Sequence, residues 1–465
     1  MAPDVQEECL PALPAAPTDG GRALPAVRPE DLDVHVARQQ FPLGVVAGSL
    51  ALVLNGGLHL RQVPVVLAMF WQWCGVPAHT ASSYTVRLWL LRLGLYQLSR
   101  PKEQADDWMW IIDHTVVLGP HKCLIILAIR QSAWDAEDRV LSHEDVELID
   151  LVPVTQSNGE VVYQQLEAAT AKTGVPRSIT SDHGSDLRCG IEFFRDAHPQ
   201  TGSLYDIKHK TACLLKHALE GDASWKVFVE KTNHFKQQVS LTELAALAPP
   251  QQRSKSRYMN LDVLTTWARR QMKLLDSSKA MRAAGLNRQR VEEKLGWLRS
   301  FTPHLRRWEE LVALAGGAEH YVRHEGIHAR ASTDLAERLP KPATPAAKRL
   351  RKDLIKFVRE QEQQVRDDER LLGSSEVVES VIGKLKEVSG QEGRHGFTGM
   401  VLSLGALVGK TTVETVQAAL EDTPVDAVWN WCRSHLGPTV QSLRARIRQA
   451  LNLEQKPPPL LLENE

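Results

Sequence analysis

Closely spaced cysteines, a net charge and long apolar runs are all missing from this chain of 465 residues. Its six cysteines lie far apart and form no Cys-x-x-Cys pair, which argues against a structural zinc site and against a framework of disulfides. Because 56 basic side chains balance 56 acidic ones, any surface that attracts nucleic acid has to be local. We therefore expect a large protein with an ample hydrophobic core in a reducing cytoplasm.

The N-terminal part of the chain also lacks a recognisable targeting signal. No cationic region followed by an apolar one occurs at its start, and the apolar residues 45–54 are too few and too interrupted by glycine to span a bilayer. Residues 1–35 are rich in proline, alanine and acidic side chains without periodicity, which is typical of a disordered tail. We expect a soluble protein without a membrane partner.

Two apolar helices are predicted after this tail. The first covers residues 60–73 and ends at a turn of glycine and proline, which are helix stop signals. The second leaves Arg87 and Arg92 exposed beside an apolar stripe, and it begins at one of three candidate caps, Thr80, Ser82 and Ser83. Two helices joined by a short turn form a candidate helix-turn-helix that could place both arginines on DNA, although a purely structural hairpin has the same outline.

Strand and helix patterns alternate over residues 105–219. Aromatic and β-branched residues predict a strand at 108–117, and a turn at 119–121 connects it to a second strand at 122–129. The remaining elements are a strand at 146–154, a helix from a capping box at Ser157 and Glu160 to residue 172, a strand at 177–182, a helix with Leu187, Ile191 and Phe194 on one face, a strand at 203–207 and a helix at 211–219. The predicted order is βββ-α-β-α-β-α.

One carboxylate interrupts the first of these strands. Aspartate is depleted from strands and is rarely buried without a partner, so Asp113 needs an explanation. A solvent-facing aspartate at a strand edge is the simpler one unless other carboxylates converge on it. Asp182, at the end of the fourth predicted strand, is a second acidic residue in this unit, although an Asx turn accounts for it equally well.

Helical patterns dominate from residue 220 onward. Long charged helices are predicted up to about residue 372, and a helix with a continuous apolar stripe follows at 376–386. Basic residues concentrate at 282–307 and 341–356. Each basic segment forms either a surface for DNA phosphates or an ordinary solvated helix face.

The element order and the two aspartates resemble those of DDE-type transposases of insertion sequences. The resemblance implies an RNase H-like fold in which Asp113 and Asp182 are two catalytic carboxylates and a glutamate on a later helix is the third. It also implies that the three carboxylates hold two Mg²⁺ ions, with Mn²⁺ as an alternative. This set suits phosphodiester chemistry, because two metal ions about 3.5–4 Å apart stabilise both the attacking and the leaving oxygen. Mg²⁺ prefers carboxylate oxygens.

Four residues are candidates for the third carboxylate: Glu379, Glu376, Glu220 and Glu243. Transposase groups with an all-helical insertion before the catalytic glutamate carry a Cys/Asp-x-x-His motif on the fifth strand, and Asp206-x-x-His209 resembles it. Residues 374–386 resemble the helix that carries the glutamate in those groups. Glu379 is therefore preferred, although Glu220 has the shorter spacing from the second aspartate that is common among insertion-sequence enzymes.

Asp206, His209 and His183 are expected to have accessory roles. His209 either orients a carboxylate or caps a strand in the core, and His183 either contacts a substrate phosphate or faces outward. Residues 405–411 look like a phosphate-binding loop, but they have three residues between the glycines where that motif requires four. ATP is therefore not expected as a ligand.

The resemblance implies an α/β fold, an RNase H-like mixed sheet with a large all-α insertion, preceded by a helix-turn-helix domain. The predicted segments are a disordered tail at 1–35, the helix-turn-helix domain at 36–104, the first part of the catalytic core at 105–219, the insertion at 220–372, the completed core with C-terminal helices at 373–450 and a flexible tail at 451–465.

The function implied is that of a DNA transposase. It binds transposon ends and target DNA, cleaves and joins strands with Mg²⁺, and works as a homo-oligomer in a synaptic complex near the bacterial nucleoid. Two alternatives stay open: a catalytically inactive domesticated transposase that only binds DNA, and an RNase H-like nuclease without strand transfer.

Overall fold

The computed structural model describes residues 31, 34–75, 80–115, 122–134, 140–250, 258, 261–390, 399–436, 438 and 440–454. The turn predicted at 119–121 and most of the two predicted tails lie outside these residues. The chain forms two compact units, Met1–Leu90 with Thr411–Asp422 and Leu91–Lys410 with Thr423–Glu465. In the described ranges, no helix combines the length and the apolar character needed to cross a bilayer. The six-segment division of the chain stays a prediction.

Helices outnumber strands among the described elements. The strands are β1 (Trp108–Thr115), β2 (Lys122–Arg130), β3 (Glu147–Val154), β4 (Ser178–Ser181), β5 (Gly202–Tyr205), β6 (Ile327–His328) and β7 (Arg370–Leu371). The helices are α1 (Leu43–Leu54), α2 (Val63–Trp73), α3 (Ser83–Ser99), α4 (Gly159–Thr173), α5 (Ser185–Ala197), α6 (Ile207–Glu220), α7 (Ala223–Val239), α8 (Leu261–Asp276), α9 (Ser278–Ala283), α10 (Arg288–Leu295), α11 (Thr302–Glu325), α12 (Ala331–Arg338), α13 (Pro345–Glu362), α14 (Glu376–Gly390), α15 (Ser403–Ala406), α16 (Val413–Asp422), α17 (Val425–Leu436) and α18 (Val440–Glu454).

Five strands form one mixed sheet in the order β3-β2-β1-β4-β5. β2 lies antiparallel to β1 and β3, whereas β4 lies parallel to β1 and β5. The succession β1-β2-β3-α4-β4-α5-β5-α6 is the one predicted from the sequence. Ile111 pairs with Thr180, so Asp113 and Asp182, each two residues further along, lie at the same level of neighbouring parallel strands.

The residues of β1 alternate between the two faces of the sheet. Trp108, Trp110 and Ile112 are buried with side chains of α4 and α5, and the ring of Trp110 lies 6.1 Å from that of Phe194. Because neighbouring side chains of a strand point in opposite directions, Asp113 belongs to the other face. α14 packs against β1, and its predicted apolar stripe is buried, comprising Val378, Val381, Ile382 and Leu385.

Two side chains of the α13 region cover the outer edge of β5. The amide of Gln364 accepts a hydrogen bond from the N–H of Ser203 at 2.6 Å and donates one to its carbonyl oxygen at 2.7 Å. Gln361 accepts a hydrogen bond from the N–H of Tyr205 at 2.9 Å. An uncovered edge strand is a template for pairing with other chains, so these amides take the place of a sixth strand.

The helices from α6 to α13 share one hydrophobic core. Its centre is aromatic: the ring of Trp225 lies 5.0 Å from Trp308 and 5.7 Å from Phe228. Ile327 of β6 pairs with Leu371 of β7 inside this region. The predicted helical character of residues 220–372 is therefore confirmed except for this short two-stranded sheet, and their status as an insertion stays a prediction.

One helix is not predicted from the sequence, and two local predictions need correction. The sequence pattern does not predict α1, which buries most of its residues in the first unit. The cap of α4 is Asn158, which accepts the N–H of Val161 at 3.0 Å, because the hydroxyl of Ser157 instead donates to Asp186 at 2.8 Å. Asp206 follows β5 and caps α6, so the Asp206-x-x-His209 motif begins a helix and does not lie on the fifth strand.

The first unit contains α1, α2, α16 and the beginning of α3. Both α2 and α16 pack against α1. Of the three predicted caps, Ser82 is the one that caps α3, since its hydroxyl accepts the N–H of Thr85 at 3.1 Å. Residues 76–79, between α2 and α3, lie outside the described residues, and the helix-turn-helix stays a prediction.

Candidate active site

Two aspartates stand at one end of the central parallel strands. Asp113 is near the end of β1, and its Oδ1 accepts the backbone N–H of His114 at 2.7 Å. Asp182 follows the last residue of β4, and its Oδ1 accepts the backbone N–H of Gly184 at 2.8 Å. His183 lies between Asp182 and Gly184 in this Asx turn. Its φ is 55°, a left-handed conformation that is uncommon outside glycine. The local turn thus fixes the Asp182 carboxylate beside β1.

The electrostatics of Asp113 show which charges gather around it. Burial and the charge of Asp182 raise the pKa of Asp113 to about 7, and Glu379 contributes in the same direction. The N–H of His114 and the charge of His209 act against this rise. Asp113 therefore gains or loses its proton close to neutral pH, and a cation between the carboxylates would favour the ionised form.

Glu379 reaches this site from α14. Its Oε2 lies 3.4 Å from Nζ of Lys208, and its Oε1 lies 3.7 Å from Nδ1 of His209. Glu376, one turn earlier, pairs mainly with Arg323, whose Nε lies 3.0 Å from Oε2. Lys208 is 3.9 Å from the other oxygen of Glu376 and so connects both Glu376 and Glu379 of α14 with α6.

The two remaining glutamate candidates pair with basic residues elsewhere. Glu220, at the end of α6, lies 3.5 Å from Lys216 on the same helix. Glu243 lies 3.0 Å from Arg290. Glu379 is the candidate whose charge acts on Asp113, and its choice as the third carboxylate stays a prediction.

Asp206 joins the motif to the helix that carries Glu379. The Asp206 side chain is 1% exposed; one oxygen accepts the N–H of His209 at 2.8 Å and the other accepts the N–H of Ser375 at 2.8 Å. Nδ1 of His209 lies 2.9 Å from Asp206. Burial lowers the pKa of His209, but the hydrogen bond and charge of Asp206, with the charge of Glu379, outweigh it and raise the pKa. His209 thus links the two acidic residues.

His183 lies on an aromatic surface beside the site. Its ring stacks on Tyr205 at 4.6 Å with an interplanar angle of 6°, and its Nε2 lies 3.4 Å from the hydroxyl of Ser203. Burial lowers its pKa, an effect that outweighs the opposing charge of Asp182. The accessory role of His183 stays a prediction.

The sequence patterns do not reveal the roles of two residues around the site, Lys208 and Asp186. Lys208 lies within the Asp-x-x-His motif, but nothing in the sequence predicts its contacts with α14. Asp186 accepts hydrogen bonds from Ser157 at 2.8 Å and Lys122 at 3.1 Å; burial opposes ionisation, yet these bonds hold the pKa of Asp186 at about 2. Both contacts join elements that are distant in sequence, and local patterns do not reveal such pairs.

The donor set suits a hard divalent cation. In the part of the chain that the structure describes, no group of three or more His, Cys, Asp or Glu side chains has the arrangement of a metal site. The chemistry of the donors nevertheless fits Mg²⁺, since Asp113 and Asp182 are carboxylates whose mutual repulsion a cation relieves. A cavity of about 330 Å³ lies between α6, α8 and α11, with Lys208 and Glu376 in its wall, but neither Asp113 nor Asp182 lines it.

The predicted DNA contacts of the second helix divide into two cases. Arg92 is 4% exposed and its Nε donates a hydrogen bond to the carbonyl oxygen of Thr423 at 2.6 Å. The prediction that Arg92 is exposed on α3 for DNA is therefore wrong, because the packed helix uses this guanidinium internally. Arg87 is half-buried, and its contact with DNA stays a prediction.

Comparison with known proteins finds similarity among solved structures. No protein-family model matches the chain, and no curated protein matches it in sequence. Among solved structures, the Drosophila P element transposase strand transfer complex is similar, at 11% sequence identity and a TM-score of 0.36. The similar region covers 83% of this chain and 93% of that chain. At this identity and TM-score, the similarity does not identify a function.

Proposed function

We propose that this chain is a DNA transposase that cuts transposon ends and joins them to target DNA. The observation that carries the proposal is the position of Asp113 and Asp182 at the same level of neighbouring parallel strands, with the charge of Glu379 acting on Asp113. Carboxylates forced together in this way are costly unless they serve a site that binds a cation. The sheet order β3-β2-β1-β4-β5 supports an RNase H-like core.

Asp113, Asp182 and Glu379 would hold two Mg²⁺ ions, for which Mn²⁺ could substitute. When bound, these ions supply charge stabilisation for both oxygens of an in-line phosphoryl transfer and lower the pKa of the attacking water. The other residues of the site position these carboxylates. Asp206 fixes the start of α14, and His209 and Lys208 hold the carboxylate of Glu379 towards the sheet.

Two reactions follow one another in this proposal. A water oxygen attacks the phosphorus at the transposon end, the bond to the 3′-oxygen breaks, and that oxygen takes a proton to become a 3′-hydroxyl. The 3′-hydroxyl then attacks a target phosphorus and displaces a target 3′-oxygen, so one phosphodiester forms as another breaks. The same carboxylates serve both steps.

DNA and a second copy of the chain are the proposed partners. The proposed phosphate contacts are Arg87, half-buried in α3, and the exposed basic face of α13, with Lys348, Arg349, Lys352 and Lys356. A homo-oligomer in a synaptic complex near the bacterial nucleoid, without ATP, belongs to the same proposal.

The test uses a duplex that carries the inverted repeats flanking the gene. Glu379→Gln should abolish Mg²⁺-dependent cleavage while leaving the affinity for the duplex largely unchanged, because the change removes a charge without removing volume. Glu376→Gln is the matched control on the same helix, and Glu220→Gln and Glu243→Gln are the more distant ones. Cleavage by Glu379→Gln at the wild-type rate, or its loss in Glu376→Gln alone, would overturn the assignment.

A strand-transfer assay separates the proposal from its two alternatives. Joining of the cut ends to a target plasmid is expected for a transposase. Cleavage without joining would identify a nuclease, and end binding without cleavage would identify an inactive DNA-binding protein.

A further inference from the structure

The helix α2 presents an apolar face that the described structure leaves uncovered. All eleven residues of α2 are described, and Val63 is the one that is buried. Phe70 is 55% exposed and Trp73 is 74% exposed. Val65, Val66 and Met69 are also exposed and belong to the same face, since residues at spacings of one, four, five and eight lie on one side of a helix. We call these five residues the α2 face.

The size of the α2 face sets it apart from scattered surface residues. Aromatic side chains have areas of about 150–250 Å², so the exposed parts of Phe70 and Trp73 alone amount to about 300 Å². Three further apolar side chains enlarge the patch. Contiguous apolar patches of this size on soluble proteins mostly mark interaction sites. The face alone provides about half of the roughly 800 Å² per partner that a standard interface buries.

Charge decides which partner fits this face. α2 contains no Asp, Glu, Lys or Arg. DNA binding needs cations aimed at phosphates, and helices that lie on anionic lipid carry Lys or Arg on their polar side. Neither feature is present on α2. An oppositely charged protein partner would also find no charge on α2 to pair with.

We propose that the α2 face is the self-association surface of this chain, and that its occupant is the α2 face of a second copy. A two-fold interface brings the same patch of both copies together, so an uncharged apolar face meets an uncharged apolar face without repulsion. Homodimer interfaces are also the most apolar class of protein interface. Gln62 and Gln72, exposed beside the face, provide the polar rim. The α2 face thereby specifies the surface for the second copy named in the proposed function, and because self-association here requires neither DNA nor a metal ion, it is tested separately from cleavage.

Sedimentation velocity of the full-length protein without DNA tests the proposal. We expect a concentration-dependent dimer whose dissociation constant rises about 30-fold or more in Trp73→Asp and in Phe70→Asp, since buried aromatic residues dominate interface energies. The matched controls are Leu241→Asp and Val263→Asp, which add the same charge at exposed apolar positions outside α2. Both controls should dimerise as the wild type does. Trp73→Gln and Phe70→Gln repeat the test without a charge, and circular dichroism checks that each variant folds.

Several outcomes would overturn the proposal. A wild-type protein that stays monomeric up to high micromolar concentration excludes self-association. Dimers that persist in all four α2 variants place the interface elsewhere, and dimers weakened equally by Leu241→Asp show a non-specific effect. Binding of the wild-type monomer to phosphatidylglycerol vesicles, lost in Trp73→Gln, would assign the face to a lipid surface instead.

Discussion

One oxygen of Asp206 accepts a hydrogen bond from the backbone N–H of Ser375 at 2.8 Å, although 169 residues separate the two in the sequence. Asp206 follows β5, and Ser375 precedes α14. The other oxygen accepts the N–H of His209 at 2.8 Å at the start of α6. A single buried carboxylate therefore holds the end of the sheet, the start of α6 and the helix that carries Glu379.

Asp206→Ala is expected to impair stability and cleavage together. Loss of a buried acceptor that serves two backbone N–H groups costs about 1–3 kcal/mol of unfolding free energy. Cleavage of the repeat duplex should fall, because α14 loses its anchor and His209 its partner. Asp206→Asn keeps one carbonyl oxygen for Ser375, so this variant should lose less stability and less cleavage activity than Asp206→Ala.

Ser277→Ala is the matched control for this change. The hydroxyl of Ser277 caps α9 by accepting the N–H of Ala280 at 3.1 Å, and its loss costs about 1 kcal/mol. We expect that variant to cleave normally. Wild-type cleavage by a folded Asp206→Ala protein would contradict a positioning role for Asp206.

Local sequence patterns predict much of the sheet and of α14. The alternation around Trp108 and Trp110 predicts β1, and the buried stripe with Val378 and Val381 predicts α14. Such periodicity reflects which face of an element meets the core, so it can be read from a short window. The order of the elements along the chain follows from the same windows, whereas the common level of Asp113 and Asp182 depends on the pairing of β1 with β4.

The remaining features depend on contacts between distant residues. No local signal pairs Asp206 with Ser375, or Gln364 with Ser203. Arg92 has the spacing of an exposed residue on an amphipathic helix, but it is buried and bonded to the carbonyl oxygen of Thr423. A polar side chain with an internal partner looks like a solvated one in the sequence, which is why this prediction failed.

Gln364→Leu should destabilise the sheet edge. The variant keeps most of the side-chain volume but loses both hydrogen bonds to Ser203, so a backbone N–H and a carbonyl oxygen of β5 lose their partner. We expect a loss of about 1–3 kcal/mol and faster aggregation on heating, measured by light scattering. Gln363→Leu, at an exposed neighbouring position, is the control. Equal aggregation of both variants would show that added apolar surface, rather than the open edge, is the cause.

Gly94→Ala tests a close crossing of α3. A Cβ atom at Gly94 would overlap the carbonyl oxygen of Leu402, which is backbone and cannot move aside as a side chain could. Overpacking of this kind costs about 1–3 kcal/mol, so the thermal midpoint should fall. Gly316 in α11 has no atom within 4 Å of the same position, and Gly316→Ala should raise stability by about 0.5–1 kcal/mol. A change of the thermal midpoint in the same direction in both variants would contradict the close crossing.

Glu319 should make stability decrease with rising pH between about 4.5 and 7. Burial raises the pKa of Glu319 to about 7, and the hydrogen bond from Thr211 opposes the rise only in part. The folded protein therefore binds a proton that the unfolded chain has released in this window, and deprotonation at higher pH favours unfolding. Glu319→Gln removes this ionisable group. The thermal midpoint of the variant should therefore change less between pH 5 and pH 8 than that of the wild type. Glu337→Gln, at an exposed position on α12, should retain the wild-type difference. A wild-type pH dependence in Glu319→Gln would assign the effect to another group.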